Sequence, residues 1–119
     1  MAAPNIVGVS TINANTAMLL ANTVGMNTII SNLSGSNSVI KVNTIMIANY
    51  GANTITANVD LYRGSVSYPI SGNMSVPGFS TLISSSKDTA FYLVEGDAVR
   101  ANVSSNNVAS ITASYETIS

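Results

Sequence analysis

The sequence predicts an all-β protein, an antiparallel β-sandwich of jelly-roll-like form with about nine or ten short strands. Residues 54–62 alternate between apolar and polar side chains, which is the period of a strand with one buried face. Turn-forming residues recur at nearly regular intervals, as they do in sandwiches and barrels. No stretch shows a long helical period. Together these observations predict strands throughout.

The chain has 119 residues, which is the size of a single domain, residues 1–119. Only 8% of the residues are charged, against about a quarter in average proteins, and the net charge is −1. The hydrophobic content of 46% excludes a disordered chain. We interpret the low charge as a surface that partners cover. The alternative is a secreted or viral β-domain whose neutral Ser/Thr/Asn surface stays exposed.

Residues 1–15 are predicted to form either an extended docking arm or the first strand of the sandwich. A strand would begin at or after Pro4, which has no amide proton to donate. Residues 11–15 are predicted to be a polar turn. An uncharged apolar terminus suits docking onto a neighbouring sheet or surface. The candidate docking residues are Ile6, Val7, Val9 and Ile12.

Two apolar stretches follow this arm. Residues 16–22 are predicted to be a buried strand, with a short helix as the alternative, and Gly25 lies in the break after them. Residues 26–33 are predicted to be the next strand. Residues 34–38 are rich in serine and predict a loop.

Residues 39–62 are predicted to be a β-hairpin at the centre of an antiparallel sheet. Its loop, residues 49–53, contains Gly51. In its first arm, residues 45–48 are all apolar, which suits a strand covered on both sides or a short buried helix. In its second arm, residues 54–62, the polar side chains share the face opposite the apolar ones.

The second half of the chain predicts a series of short strands. Pro69 restricts its strand to a sheet edge, because proline has no amide proton for a second neighbour. Residues 85–88 are predicted to be polar and exposed. Turns are predicted at residues 71–73, 77–78, 95–97 and 106–107. The predicted strands are residues 66–70, 74–76, 81–84, 91–94, 98–103 and 108–115.

The inward-facing positions of these strands predict the hydrophobic core. It is expected to include Ile45, Ile47, Ile55, Val59, Leu61, Leu93, Val99, Val103 and Ile111.

The sequence offers little for catalysis or metal binding. It has no histidine and no cysteine, which removes the usual general base, the Ser-His dyad and thiolate metal sites. Glu95 and Asp97 flank Gly96 and suggest the start of a calcium site, which needs more oxygen ligands than these two acids supply. The alternative is a tight turn with solvated acids. We therefore expect no enzyme, no cofactor and no metal.

Other binding classes are also weakly supported. The basic residues are too few and too scattered for a nucleic-acid surface, and no apolar run is long enough to span a membrane. Tyrosines can form a sugar-binding platform, but they are equally ordinary strand residues. The basic residues are Lys41, Arg63, Lys87 and Arg100. The tyrosines are Tyr50, Tyr62, Tyr68, Tyr92 and Tyr115.

Six segments of the chain carry a resemblance when they are taken together: residues 1–7, 41–49, 59–62, 83–89, 92–97 and 114–119. These segments resemble a group of small virion structural proteins from tailed phages of cyanobacteria and other aquatic bacteria. The resemblance covers most of the chain, except residues 13–37.

The resemblance implies a structural place in a virion. We expect a capsid decoration (cement) protein that bridges major capsid subunits on the outer shell and is first made in the host cytoplasm. Its partners would be the major capsid protein and copies of itself, as a trimer or dimer. The alternatives are a tail, neck or fibre-attachment component, or a carbohydrate-binding adhesion module.

Overall fold

The structure is a computed structural model that describes residues 11–20, 25–105 and 108–119. Within those ranges nine strands form two antiparallel sheets that pack face to face. The strands are β1 (Ile12–Leu20), β2 (Asn27–Ser31), β3 (Val39–Asn49), β4 (Ile55–Arg63), β5 (Val66–Val76), β6 (Ser80–Ser85), β7 (Phe91–Leu93), β8 (Ala98–Val103) and β9 (Ala109–Ile118).

The strand order is that of a jelly roll. Sheet A has the order β1-β9-β3-β6, and sheet B has the order β2-β8-β4-β5. β6 and β7 pair with successive halves of β3, with a 3₁₀ turn at Lys87–Thr89 between them, so together they occupy one position. Each sheet therefore has four positions. The predicted fold class is confirmed.

The predicted hairpin at residues 39–62 is wrong. β3 lies in sheet A between β9 and β6, whereas β4 lies in sheet B between β8 and β5. The connecting loop therefore crosses from one sheet to the other. The buried side chain of Asn49 fixes the crossing, since its Nδ2 donates to the carbonyls of Asn53 and Val76 at 2.8 and 3.1 Å. The alternation of apolar and polar residues identified which face of each strand is buried, but not which strands lie beside it.

The core lies between the two sheets, and eight of the nine predicted core residues are buried in it. Leu61 is the exception, since it is only partly buried and packs against the edge of the core. It lies opposite Tyr68 on β5, an edge strand that covers it on one side. Pro69 is also on β5, so its predicted edge position is confirmed.

Four local predictions are wrong. Residues 11–15 do not form a turn, because Ile12 to Asn15 belong to β1 and pair with β9. Residues 71–73 do not form a turn either, because bulges keep them within one continuous strand, β5. In the polar segment 85–88, Ser85 is buried. Residues 16–20 form a strand and not the alternative helix, but this strand is not buried, because β1 is an edge strand whose side chains at 18 and 20 are exposed.

Of the predicted docking residues, Ile12 lies on β1, where its side chain is exposed. Ile6, Val7 and Val9 lie outside the described residues, as does the predicted turn at residues 106–107. The docking arm therefore stays a prediction.

Candidate functional site

The outward side of sheet A carries rows of uncharged side chains. Ile45, Ile47 and Ile111 are fully buried in the core, so the residues that alternate with them on β3 and β9 point outward. Strand register places Met46 directly opposite Thr112 and Ile83, and Thr112 opposite Met18. We define the outer face as Thr16, Met18, Leu20, Thr44, Met46, Ala48, Thr81, Ile83, Ser110, Thr112 and Ser114.

Large apolar side chains of the outer face are open to solvent. Met18 is 78% exposed, Leu20 65%, Ile83 61% and Met46 36%. Hydroxyl side chains separate them, and the charged pair Lys41 and Glu116 lies one row further along β3 and β9. A face that combines exposed apolar side chains with hydroxyl groups can serve as an interaction surface.

A hollow of about 320 Å³ lies at the β1 edge of the outer face. Its lining includes the outward-pointing Met18 and Leu20 of β1 and Ser110 and Thr112 of β9. All four side chains are uncharged, so the hollow suits an apolar or aromatic group.

A groove of about 410 Å³ on the outward side of sheet B is the second candidate site. At its base Arg100 donates from Nε and Nη2 to the buried carboxylate of Asp60, at 3.1 and 2.8 Å. Ser67 Oγ donates to the same carboxylate, and the Arg100 guanidinium lies 3.9 Å above the ring centre of Tyr62. This network joins β4, β5 and β8.

Amide groups along the same groove also bond to one another. Asn58 Nδ2 donates to Asn102 Oδ1 at 3.0 Å, and the backbone N–H of Asn73 donates to Asn58 Oδ1 at 2.8 Å. These polar groups are therefore already used to hold the bulged strand β5 against its sheet. We interpret the network as structural.

Because of the Asp60 network, the free energy of unfolding depends on pH in the acidic range. Burial alone would raise the pKa of Asp60, but the hydrogen bonds from Arg100 and Ser67 and the charge of Arg100 together hold it below its ordinary 3.8. The stabilisation is therefore present above about pH 4 and is lost as the pH falls through the lowered value.

We expect Asp60→Asn to be less stable than the wild type at pH 7, with the gap shrinking below about pH 4. Urea unfolding across pH 2–7 measures it. Asp88→Asn is the control, because Asp88 is exposed, and its curve should follow the wild type. A gap that is constant with pH would contradict this account of Asp60.

The predicted turn at residues 95–97 is confirmed, but the predicted solvation is wrong for Asp97, whereas Glu95 is partly exposed. The Asp97 amide donates to the Val94 carbonyl at 3.1 Å, and Gly96 has φ +90°. The Asp97 side chain is buried and binds Arg63, with Nη2 2.6 Å from Oδ2. Asp97 thus forms a structural ion pair at a position where the sequence predicted a solvated carboxylate.

Glu95 bonds to the neighbouring loop between β2 and β3. Its carboxylate accepts hydrogen bonds from the amides of Gly35 and Asn37, at 3.2 and 2.7 Å. The calcium alternative gains no support, since the described residues contain no group of three or more His, Cys, Asp or Glu side chains that could hold a metal ion.

The tyrosines do not form one platform. Tyr62 belongs to sheet B under Arg100, whereas Tyr115 belongs to sheet A and packs against the core. Tyr68 lies on the edge strand β5, and Tyr50 lies in the loop that joins the sheets.

Comparison with known proteins assigns no family. No protein-family model matches the sequence, and no curated protein is a significant match. In the part of the chain that the structure describes, no helix is long and apolar enough to cross a membrane. The site must therefore be interpreted from its own geometry.

Proposed function

We propose that this chain is a structural protein of a phage virion that decorates the capsid. The outer face of sheet A docks on the shell and bridges neighbouring major capsid subunits. The observation that carries the proposal is the exposed row Met18–Thr112–Met46–Ile83, which places three exposed apolar side chains in one line across the four strands of sheet A. The resemblance of the sequence to small phage virion proteins supports the particle as the partner.

The jelly-roll fold agrees with this role, since the fold is common in viral capsid proteins, although lectins share it. The fold is therefore a weaker argument than the outer face. We propose a role without catalysis, because the sequence has neither histidine nor cysteine.

The mechanism is preferential binding to the assembled shell. A copy that contacts two capsid subunits binds only while those subunits are neighbours. A molecule that binds only one state stabilises that state by mass action. The stabilising free energy grows with the logarithm of the ratio of the free ligand concentration to Kd. Decoration then shifts the balance from the ruptured shell toward the closed one.

The carbohydrate-binding alternative has less support. A glycan site needs polar groups that are free to bond sugar hydroxyls, whereas Asp60 and Asn58 in the sheet B groove bond to protein groups. Binding of the isolated protein on a glycan array would favour that alternative.

Imaging of the particle tests the proposal. Decoration predicts a copy number comparable with that of the major capsid protein, with the outer face turned toward the shell. If the particle instead carries a single ring of about six or twelve copies at one vertex, the decoration proposal is wrong and the tail or neck alternative takes its place.

A further inference from the structure

β1 is an edge strand of sheet A, and its register shows which of its backbone groups point away from the sheet. Thr11 and Ser119, next to the first pair of β1 and β9, exchange two backbone hydrogen bonds, at 3.0 and 2.9 Å. Hydrogen-bonded and non-hydrogen-bonded pairs alternate along an antiparallel ladder, so the odd-numbered residues of β1 bond to β9. The N–H and C=O groups of the even-numbered residues therefore point to the open edge. These residues are Ile12, Ala14, Thr16, Met18 and Leu20.

The other edges of the two sheets, among the described residues, carry features that hinder pairing with a further strand. β5 contains Pro69 and is bulged against β4, and β2 has five residues and a bulge. The edge formed by β6 and β7 is interrupted by the 3₁₀ turn. Proline, bulges and short strands are common protections of sheet edges. β1 has nine residues, no charge, no proline and an unbroken register with β9, so its open edge is a template for another strand.

We propose that two copies of this chain pair through β1, antiparallel and about a twofold axis at Thr16. The occupant of the edge is a second copy because the apolar pattern of β1 is self-complementary about that residue. Ile12 then lies opposite Leu20 of the second copy. Ala14 lies opposite Met18, and Thr16 lies opposite its own counterpart.

This register uses every backbone group that points to the open edge. All five even-numbered residues exchange hydrogen bonds with the second copy, about ten bonds in all, and any other register loses some of them. Each apolar pair shields its members from water, and threonines that lie opposite each other stabilise a sheet through their hydroxyl groups. No charge on β1 opposes the contact.

The contact depends on backbone hydrogen bonds more than on buried area. Strand addition at a sheet edge gains its affinity from main-chain bonds. The contact of two nine-residue strands is smaller than the roughly 800 Å² per partner of a stable interface, so we expect a weak dimer. The twofold axis is perpendicular to the sheet and closes the contact at two copies. Both outer faces then lie on the same side of one continuous sheet.

The joined sheet suits the proposed function, since it presents two outer faces side by side to neighbouring capsid subunits. This use of the dimer rests on the capsid proposal, whereas the pairing itself does not. Copies docked on the same shell have a high effective concentration, so a contact that is weak in solution forms more readily there. The pairing is tested in the purified protein without particles, so its failure and that of the capsid role are distinguishable.

Hydrogen exchange followed by NMR tests the register residue by residue. In a dilute sample the amides of Thr16 and Met18 should exchange rapidly, whereas those of Asn15 and Ala17 should be protected by β9. At roughly 0.5 mM the first two should slow at least twofold, in step with the dimer fraction. If they are already protected in the monomer, the same chain covers the edge and the proposal is overturned. A protein that stays monomeric at that concentration also overturns it.

Charge substitutions at Thr16 test the twofold axis by sedimentation velocity. Thr16 is exposed, so Thr16→Asp and Thr16→Lys should keep the Tm of the wild type. Each should weaken self-association about tenfold or more, since like charges then lie opposite each other. Mixed together they should form a heterodimer, because the carboxylate of one copy meets the ammonium group of the other. A mixture that stays monomeric overturns the proposal.

Thr81→Lys is the matched control for charge. Thr81 is exposed on β6, at the opposite edge of sheet A, and it also belongs to the outer face. Self-association of this variant should equal that of the wild type. An equal loss in Thr81→Lys would mean that the outer faces of two copies meet, and would overturn pairing through β1.

Discussion

Replacing Ile47 by alanine is expected to lower the free energy of unfolding by about 2–5 kcal/mol. Ile47 is fully buried on β3, in the middle of sheet A, so the substitution removes apolar contacts and leaves a cavity. A typical domain has only about 5–15 kcal/mol in total. Urea unfolding followed by circular dichroism measures the loss.

The adjacent residue provides the matched control. Met46 points outward on the same strand and leaves no core cavity when truncated, so Met46→Ala should lower the free energy of unfolding by no more than about 1 kcal/mol. Equal losses for both substitutions would mean that β3 is buried on both sides in the isolated chain, which contradicts the two-sheet packing.

Replacing Met46 by aspartate is expected to weaken attachment to the particle at least a hundredfold. Met46 lies at the centre of the outer face, and docking there would bury a carboxylate without a partner, which costs several kcal/mol. Co-sedimentation of the labelled protein with depleted particles measures the affinity.

Thr56→Asp is the control for charge. Thr56 is exposed on β4 of sheet B, so this variant gains the same charge on the other side of the sandwich. It should attach like the wild type. If Thr56→Asp detaches and Met46→Asp does not, the docking surface lies on sheet B.

Much of the core was predictable from the sequence, because the alternation of apolar residues depends only on which face of a strand is buried. Residues 45–48 illustrate both the strength and the limit of that argument. Their unbroken apolar run predicts a strand covered on both sides or a short buried helix. In the structure they belong to a strand whose core side carries Ile45 and Ile47, while Met46 faces solvent, so the predicted cover on both sides is wrong for this chain by itself.

Strand pairing was not predictable, because the sequence between β3 and β4 suits a hairpin as well as a crossing between sheets. The buried acids were missed for a similar reason. Asp60 and Asp97 are buried and pair with Arg100 and Arg63, which are distant in sequence, so no local pattern marks them.

Thermal rupture of particles with and without this protein tests the decoration role most directly. Because the outer face is uncharged, its attachment should depend weakly on salt, unlike a charge-driven contact. DNA release is followed during heating at low and at high salt. The account predicts that depleted particles release DNA at a lower temperature, that added protein restores the wild-type temperature, and that the difference persists at high salt. If depleted particles rupture at the same temperature but fail to assemble tails or to adsorb to cells, the decoration role is contradicted.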